Sequence, residues 1–125
     1  MFEIKITSGF SSAHRLEDYN GECENLHGHN WKVAVYIART KLDSTGMVMD
    51  FKKLNDILEG FLEQIDHHCL NDLELFKNIN PTAEHVAMVI YDNIFPEIQK
   101  ENLRLRKVEV WETEGNSASY CPELN

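Results

Sequence analysis

Basic residues are scarce in this chain: Lys and Arg number 12 against 21 Asp and Glu, for a formal charge of −9. Affinity for a phosphate backbone comes from clustered Lys and Arg, so this balance argues against a nucleic-acid partner. The same charge would repel an anionic substrate unless local basic groups or a neighbouring subunit reverse the field in the pocket. Cysteine is also sparse. Cys23, Cys69 and Cys121 are odd in number, widely spaced and without a CxxC pair, which suits reduced thiols better than a disulfide framework. No apolar run approaches the ~20 residues that a membrane span requires, and the opening Met1-Phe2-Glu3-Ile4-Lys5 alternates where a signal peptide would be basic and then apolar. A cytoplasmic protein with no membrane partner is expected. Repeats, low-complexity tracts and Pro-, Gly- or Ser-rich linkers are missing too, so residues 1–125 are expected to form a single domain.

What remains is 42% hydrophobic and 26% charged, the balance of a folded globular core. Residues 2–14 place Phe2, Ile4, Ile6, Phe10 and His14 at one parity, the pattern of a half-buried strand with room for a bulge at Gly9. A polar loop, Glu17 to Asn25, follows. Trp31 to Thr40 alternates Val33, Val35 and Ile37 with more polar neighbours and reads as a second strand, antiparallel to the first and closed by Asp43-Ser44-Thr45-Gly46. Asp50 can cap a helix whose stripe is Phe51, Leu54, Ile57, Leu58, Phe61, Leu62 and Ile65. Asn80-Pro81-Thr82 signals a second helix, with Pro in its first turn and Val86, Val89, Ile90 and Ile94 buried; Pro96 should end or kink it. Val108, Val110 and Glu112 share one face of a third strand, and Ser117 to Cys121 can return as a fourth. The order ββααββ predicts an α+β fold, a four-stranded antiparallel sheet with two helices on one face.

The most informative stretch is Cys23-Glu24-Asn25-Leu26-His27-Gly28-His29. Alternation along an extended chain puts His27 and His29 on one side, where a single ion can bridge them. His14, at the end of the strand expected to pair here, supplies a third imidazole. Three neutral imidazoles suit zinc and leave a fourth position for water or substrate, as in a catalytic site. Two readings compete with this one. The histidines fit solvent-facing strand residues, and Cys23 fits the fourth ligand of a closed structural site.

Asp66-His67 follows the first helix, where a carboxylate can fix the tautomer of an imidazole and raise its basicity; a histidine favouring the helix C-terminal dipole is the alternative. His68 and Cys69 have no assigned work, and His85 reads as a surface residue. Glu112 continues an apolar parity, which is costly for a carboxylate unless it meets hydrogen-bond donors such as the paired N–H groups of a ligand. A solvated strand-end carboxylate is the alternative, the role expected of Glu109 and Glu114.

With these residues assembled, the sequence resembles the 6-pyruvoyltetrahydropterin synthase and 6-carboxytetrahydropterin synthase family over nearly its whole length. The resemblance rests on Phe10-Ser11-Ser12-Ala13-His14, Cys23-x-x-x-His27-Gly28-His29, Gly46-Met47-Val48-Met49-Asp50-Phe51, Asp66-His67-His68-Cys69-Leu70-Asn71, Pro81-Thr82-Ala83-Glu84 and Glu112-Thr113. It implies the tunnelling fold, or T-fold, in a homohexamer of two stacked trimers with active sites between subunits. It also implies that His14, His27 and His29 bind Zn2+, that Cys23 is the general base with Asp66 and His67 as its partners, and that Glu112 anchors the pterin with Thr82 nearby.

The three residues between Cys23 and His27 are similar to the 6-carboxytetrahydropterin synthases of queuosine biosynthesis. That similarity implies a zinc-dependent lyase turning 7,8-dihydroneopterin triphosphate into 6-carboxy-5,6,7,8-tetrahydropterin, acetaldehyde and triphosphate. The alternatives are a 6-pyruvoyltetrahydropterin synthase, which eliminates triphosphate only, and a non-catalytic zinc-stabilised binding or assembly module. His85 departs from the family pattern, where many members carry Asn.

Overall fold

The computed structural model describes residues 1–17 and 25–122. The expected thiol Cys23, and most of the polar loop that carries it, lie outside the described residues. Strand β1 (Phe2–His14) is followed by β2 (His27–Arg39), helix α1 (Phe51–Leu62), two 3-10 turns (Leu70–Asp72 and Glu74–Phe76), helix α2 (Ala83–Lys100) and strands β3 (Arg104–Thr113) and β4 (Asn116–Tyr120). The sheet order is β1-β2-β3-β4, each neighbouring pair antiparallel, in the expected ββααββ sequence.

Alternation governs β1 throughout: Phe10, Ser12 and His14 are buried, while the odd positions face the other way. The pairing of β1 with β2 runs unbroken from Phe2↔Arg39 to His14↔His27, so the bulge expected at Gly9 is absent. Gly9 serves close approach instead, since a Cβ there would stand 2.8 Å from the Trp31 carbonyl oxygen. Gly9→Ala is therefore expected to cost about 1–3 kcal/mol, because backbone in mid-ladder can hardly give way. Urea unfolding would measure it, and an unchanged midpoint would refute it. Strand β2 also starts earlier than expected, at His27, which puts both histidines of the H-x-H motif inside the ladder.

Val33, Val35 and Ile37 of β2 and Leu105, Val108 and Val110 of β3 turn to the helical face. There they join Leu54, Leu58 and Leu62 of α1 and Val86, Ile90, Ile94 and Ile98 of α2 in one core. Burying a large aliphatic side chain contributes roughly 1.5–3 kcal/mol, so this layer supplies the main stabilisation. Asp50 caps α1 by accepting from the Lys52 amide at 2.9 Å. Phe51, assigned to the apolar stripe, is 59% exposed because it lies at the first position of α1, beyond the reach of the core.

Thr82 caps α2, accepting from the His85 amide at 3.1 Å, so Pro81 precedes the helix and is not in its first turn. Pro96 does not end α2, which runs on to Lys100. A helix can absorb one lost backbone hydrogen bond when the turn beyond is anchored, and Ile98 is fully buried there. Among the described residues, no helix is long and apolar enough to cross a membrane.

The helix-free face of the sheet carries Lys5 and Lys107 over the Tyr36 ring and Lys32 over Trp111, the last at 4.7 Å from the ring centroid. Glu109 is half-buried there and not a solvated carboxylate, because it accepts from the Tyr36 hydroxyl at 3.0 Å and the Ser117 hydroxyl at 2.9 Å. Glu114 is exposed, as expected.

Candidate metal centre

The pairing of His14 with His27 and of Ser12 with His29 brings all three histidines to the end of the sheet where the chain passes from β1 to β2. The three rings stand edge-on to one another, with centroids 4.7–5.2 Å apart, so they surround a point instead of stacking. Trp31, 2% exposed, meets His14 and His29 edge-on and donates its Nε1–H to the Ser12 carbonyl, which closes the floor of the site.

His14 is fully buried, and its Nδ1–H donates to the Pro81 carbonyl at 2.8 Å. His27 uses Nδ1 in the same way on the Asn25 carbonyl, also at 2.8 Å. A carbonyl only accepts, so in both rings Nδ1 carries a proton and Nε2 is the nitrogen left to serve the cluster. This backbone support is what a metal-binding histidine needs to hold its tautomer and orientation.

Glu112 of β3 completes the group: one ligand atom from each of His14, His27, His29 and Glu112 lies within 4.8 Å of the others. Its Oε1 is 2.9 Å from His29 Nε2 and 3.3 Å from His14 Nε2. Those distances suggest ion pairs, yet neither buried Nε2 makes a directed hydrogen bond. Burial is the largest influence on His29, lowering its pKa against the raising effect of Glu112, which favours the neutral form that a metal requires. Two orphaned ring nitrogens, a third imidazole and one carboxylate make a donor set that fits a divalent cation.

Among the described residues, Asp66 and His67 form a pair of their own. Asp66 Oδ1 accepts from the Ser11 amide at 2.8 Å and lies 3.0 Å from His67 Nδ1. The Ser11 bond is the first cause holding the Asp66 carboxyl below its usual range. His67 is 81% exposed and sits at φ 59°, a left-handed conformation uncommon for histidine. The segment after α1 covers the free edge of β1, through His67 N–H to Ser11 O and Ala13 N–H to His68 O. That contact, and not the imidazole cluster, holds the Asp66–His67 pair in place.

Thr82 directly follows the carbonyl that supports His14. His85 is half-buried and not a surface residue, because its Nδ1 lies 2.6 Å from the Asn80 carbonyl. Cys69 and Cys121 are free, in keeping with reduced thiols. At Gly28 a Cβ would meet nothing within 4 Å, so among the described residues no close approach explains that glycine. Sequence reasoning missed the supporting carbonyls of Pro81 and Asn25, because any residue can supply one. A cavity of about 550 Å³ lined by Met1, Arg39, Phe95 and Leu105 lies at the opposite end of the sheet, away from these groups.

The structure of 6-pyruvoyl tetrahydropterin synthase from Caenorhabditis elegans superposes with a TM-score of 0.84 at 31% identity, covering 98% of this chain and 96% of that one. The protein is therefore a tunnelling-fold, or T-fold, protein with a histidine-rich candidate metal centre. The sequence profile of the family described as 6-pyruvoyl tetrahydropterin synthase matches residues 3–123. A 6-carboxy-5,6,7,8-tetrahydropterin synthase from Synechocystis sp. is 36% identical over 132 residues, covering 100% of this chain and 98% of the relative. A 6-pyruvoyl tetrahydrobiopterin synthase from Dictyostelium discoideum is 34% identical over 126 residues, 91% of each. The chain belongs to the 6-pyruvoyl tetrahydropterin synthase family, whose members are pterin synthases.

Proposed function

We propose that this protein is a zinc-dependent lyase that converts 7,8-dihydroneopterin triphosphate to 6-carboxy-5,6,7,8-tetrahydropterin, releasing acetaldehyde and triphosphate, in the cytoplasmic synthesis of queuosine. The observation that carries the reading is the convergence of His14, His27, His29 and Glu112 in a chain of this family. His14, His27 and His29 would hold the ion. Bound there, zinc supplies Lewis acidity toward the hydroxyl oxygens of the substrate side chain.

The chain's own groups do the rest. Cys23, as thiolate, removes a proton from the side chain, and His67 donates or accepts a second one, oriented by Asp66. Glu112 accepts two N–H groups from the pterin edge, and Thr82 contributes to binding the same substrate. Active sites shared between subunits of a homohexamer of two stacked trimers would gather cationic groups that offset the charge of a single chain. The edge strand β4 and the Lys-topped aromatic face support such an association.

The three-residue spacing between Cys23 and His27 favours the carboxy product. The Dictyostelium relative favours a second reading, elimination of triphosphate to the 6-pyruvoyl product. Incubation of the zinc-loaded protein with dihydroneopterin triphosphate, followed by mass spectrometry, separates the two. The carboxy pterin with acetaldehyde is expected, and pyruvoyl pterin without acetaldehyde would establish the second reading. Unchanged substrate would refute both. Cys23→Ala is the control, expected to keep zinc and lose turnover.

A further inference from the structure

Glu112 stands at a break in the β3–β4 ladder. Pairing passes from Trp111↔Ser117 to Thr113↔Asn116, so Glu112 is an extra residue with no partner on β4. Glu112 keeps the parity of Val108 and Val110, so alternation along β3 carries its carboxylate to the face of the imidazoles, and the bulge leaves it without a β4 partner. The turn beyond is tied by Asn116 Nδ2–H donating to Thr113 Oγ1 at 3.0 Å.

A carboxylate that served only a ligand's N–H groups would gain nothing from lying against histidines. Oε1 of Glu112 nevertheless lies 2.9 Å from one Nε2 and 3.3 Å from another, in a residue still 29% exposed. With His14 Nδ1 committed to the Pro81 carbonyl, its Nε2 faces the Glu112 carboxylate without a directed hydrogen bond, an arrangement that a cation between them satisfies.

We infer that Glu112 is an exchangeable fourth ligand: its carboxylate holds the metal together with the three histidines in the resting protein, then leaves to accept the N–H pair of the incoming substrate. The resting role stands on the geometry alone; the exchange rests on the pterin reading above. Partial exposure of Glu112 gives the substrate edge a route to its carboxylate.

Cobalt(II) in place of zinc tests this on the full chain, with wild type, Glu112→Gln and Cys23→Ser compared. Glu112→Gln is expected to weaken cobalt binding by ~10–100-fold, the loss seen even when a ligand's supporting partner is removed. Cys23→Ser should leave the affinity and the visible bands unchanged. Isocytosine carries the same N–H edge as a pterin but no side chain. It should move the cobalt bands of wild type and not those of Glu112→Gln.

A thiolate-to-cobalt charge-transfer band in wild type that Cys23→Ser abolishes would overturn the assignment, as would an unweakened Glu112→Gln. Bands that no concentration of isocytosine moves would overturn the exchange. Metal-free melting temperatures check folding, and the wild-type spectra decide the matter even if Glu112→Gln fails to fold. Weakened cobalt binding without turnover of dihydroneopterin triphosphate would leave the ligand role standing and remove the reaction; turnover with unweakened binding in Glu112→Gln would do the reverse.

Discussion

His14→Ala is expected to abolish metal uptake and turnover together. His14 is the one fully buried imidazole of the cluster, and its Nδ1 is committed to Pro81, so its Nε2 can serve only the shared point. Loss of a ligand should lower metal affinity by more than the ~100-fold upper range for loss of a supporting partner. The truncation also leaves the Pro81 carbonyl unpaired, at a cost of roughly 1–3 kcal/mol in the metal-free protein. The two effects separate in a thermal melt. Wild type at a metal concentration of 100 times Kd should gain about 2.7 kcal/mol, and the variant nothing. His85→Ala, which loses a similar carbonyl contact outside the cluster, should keep the full gain. A metal-induced rise that survives in His14→Ala would remove this residue from the site.

The second large effect is expected at His67. Its side chain is mostly in solvent, so substitution costs little packing, but the backbone is held at φ 59° by the contacts of its neighbours with β1. Strain of this kind persists where the surroundings impose it, and it often accompanies function. Alanine would confound loss of the imidazole with backbone strain, whereas asparagine tolerates the left-handed conformation. His67→Asn should therefore lower kcat by ~10²–10⁴-fold with zinc content and melting temperature preserved. An unchanged kcat would relegate the Asp66–His67 pair to a strand-edge clamp, a role that its bond to Ser11 already shows it can fill.

The parity of Ile4, Ile6, Phe10 and His14 announced β1 and the side on which its histidine would lie, because alternation is a local property of extended chain. Val33, Val35 and Ile37 did the same for β2. Pro96 was misleading for the complementary reason: its local cost to a helix is real, but burial of Ile98 outweighs it, and that burial belongs to the packed core. His85 and Glu109 read as solvent-facing residues because their partners, the Asn80 carbonyl and the Tyr36 hydroxyl, carry no signature in the sequence.

By itself, then, the order of residues determined the element types, the inward face of each strand and the chemical character of the site, since periodicity and side-chain chemistry act over a few neighbours. Only the tertiary structure decided that His14 faces His27 across an unbroken register, that Pro81 and Asn25 orient two of the rings, and that β3 brings Glu112 among them. Each of these depends on contacts between segments far apart in the chain, where spacing along the sequence no longer measures distance in space.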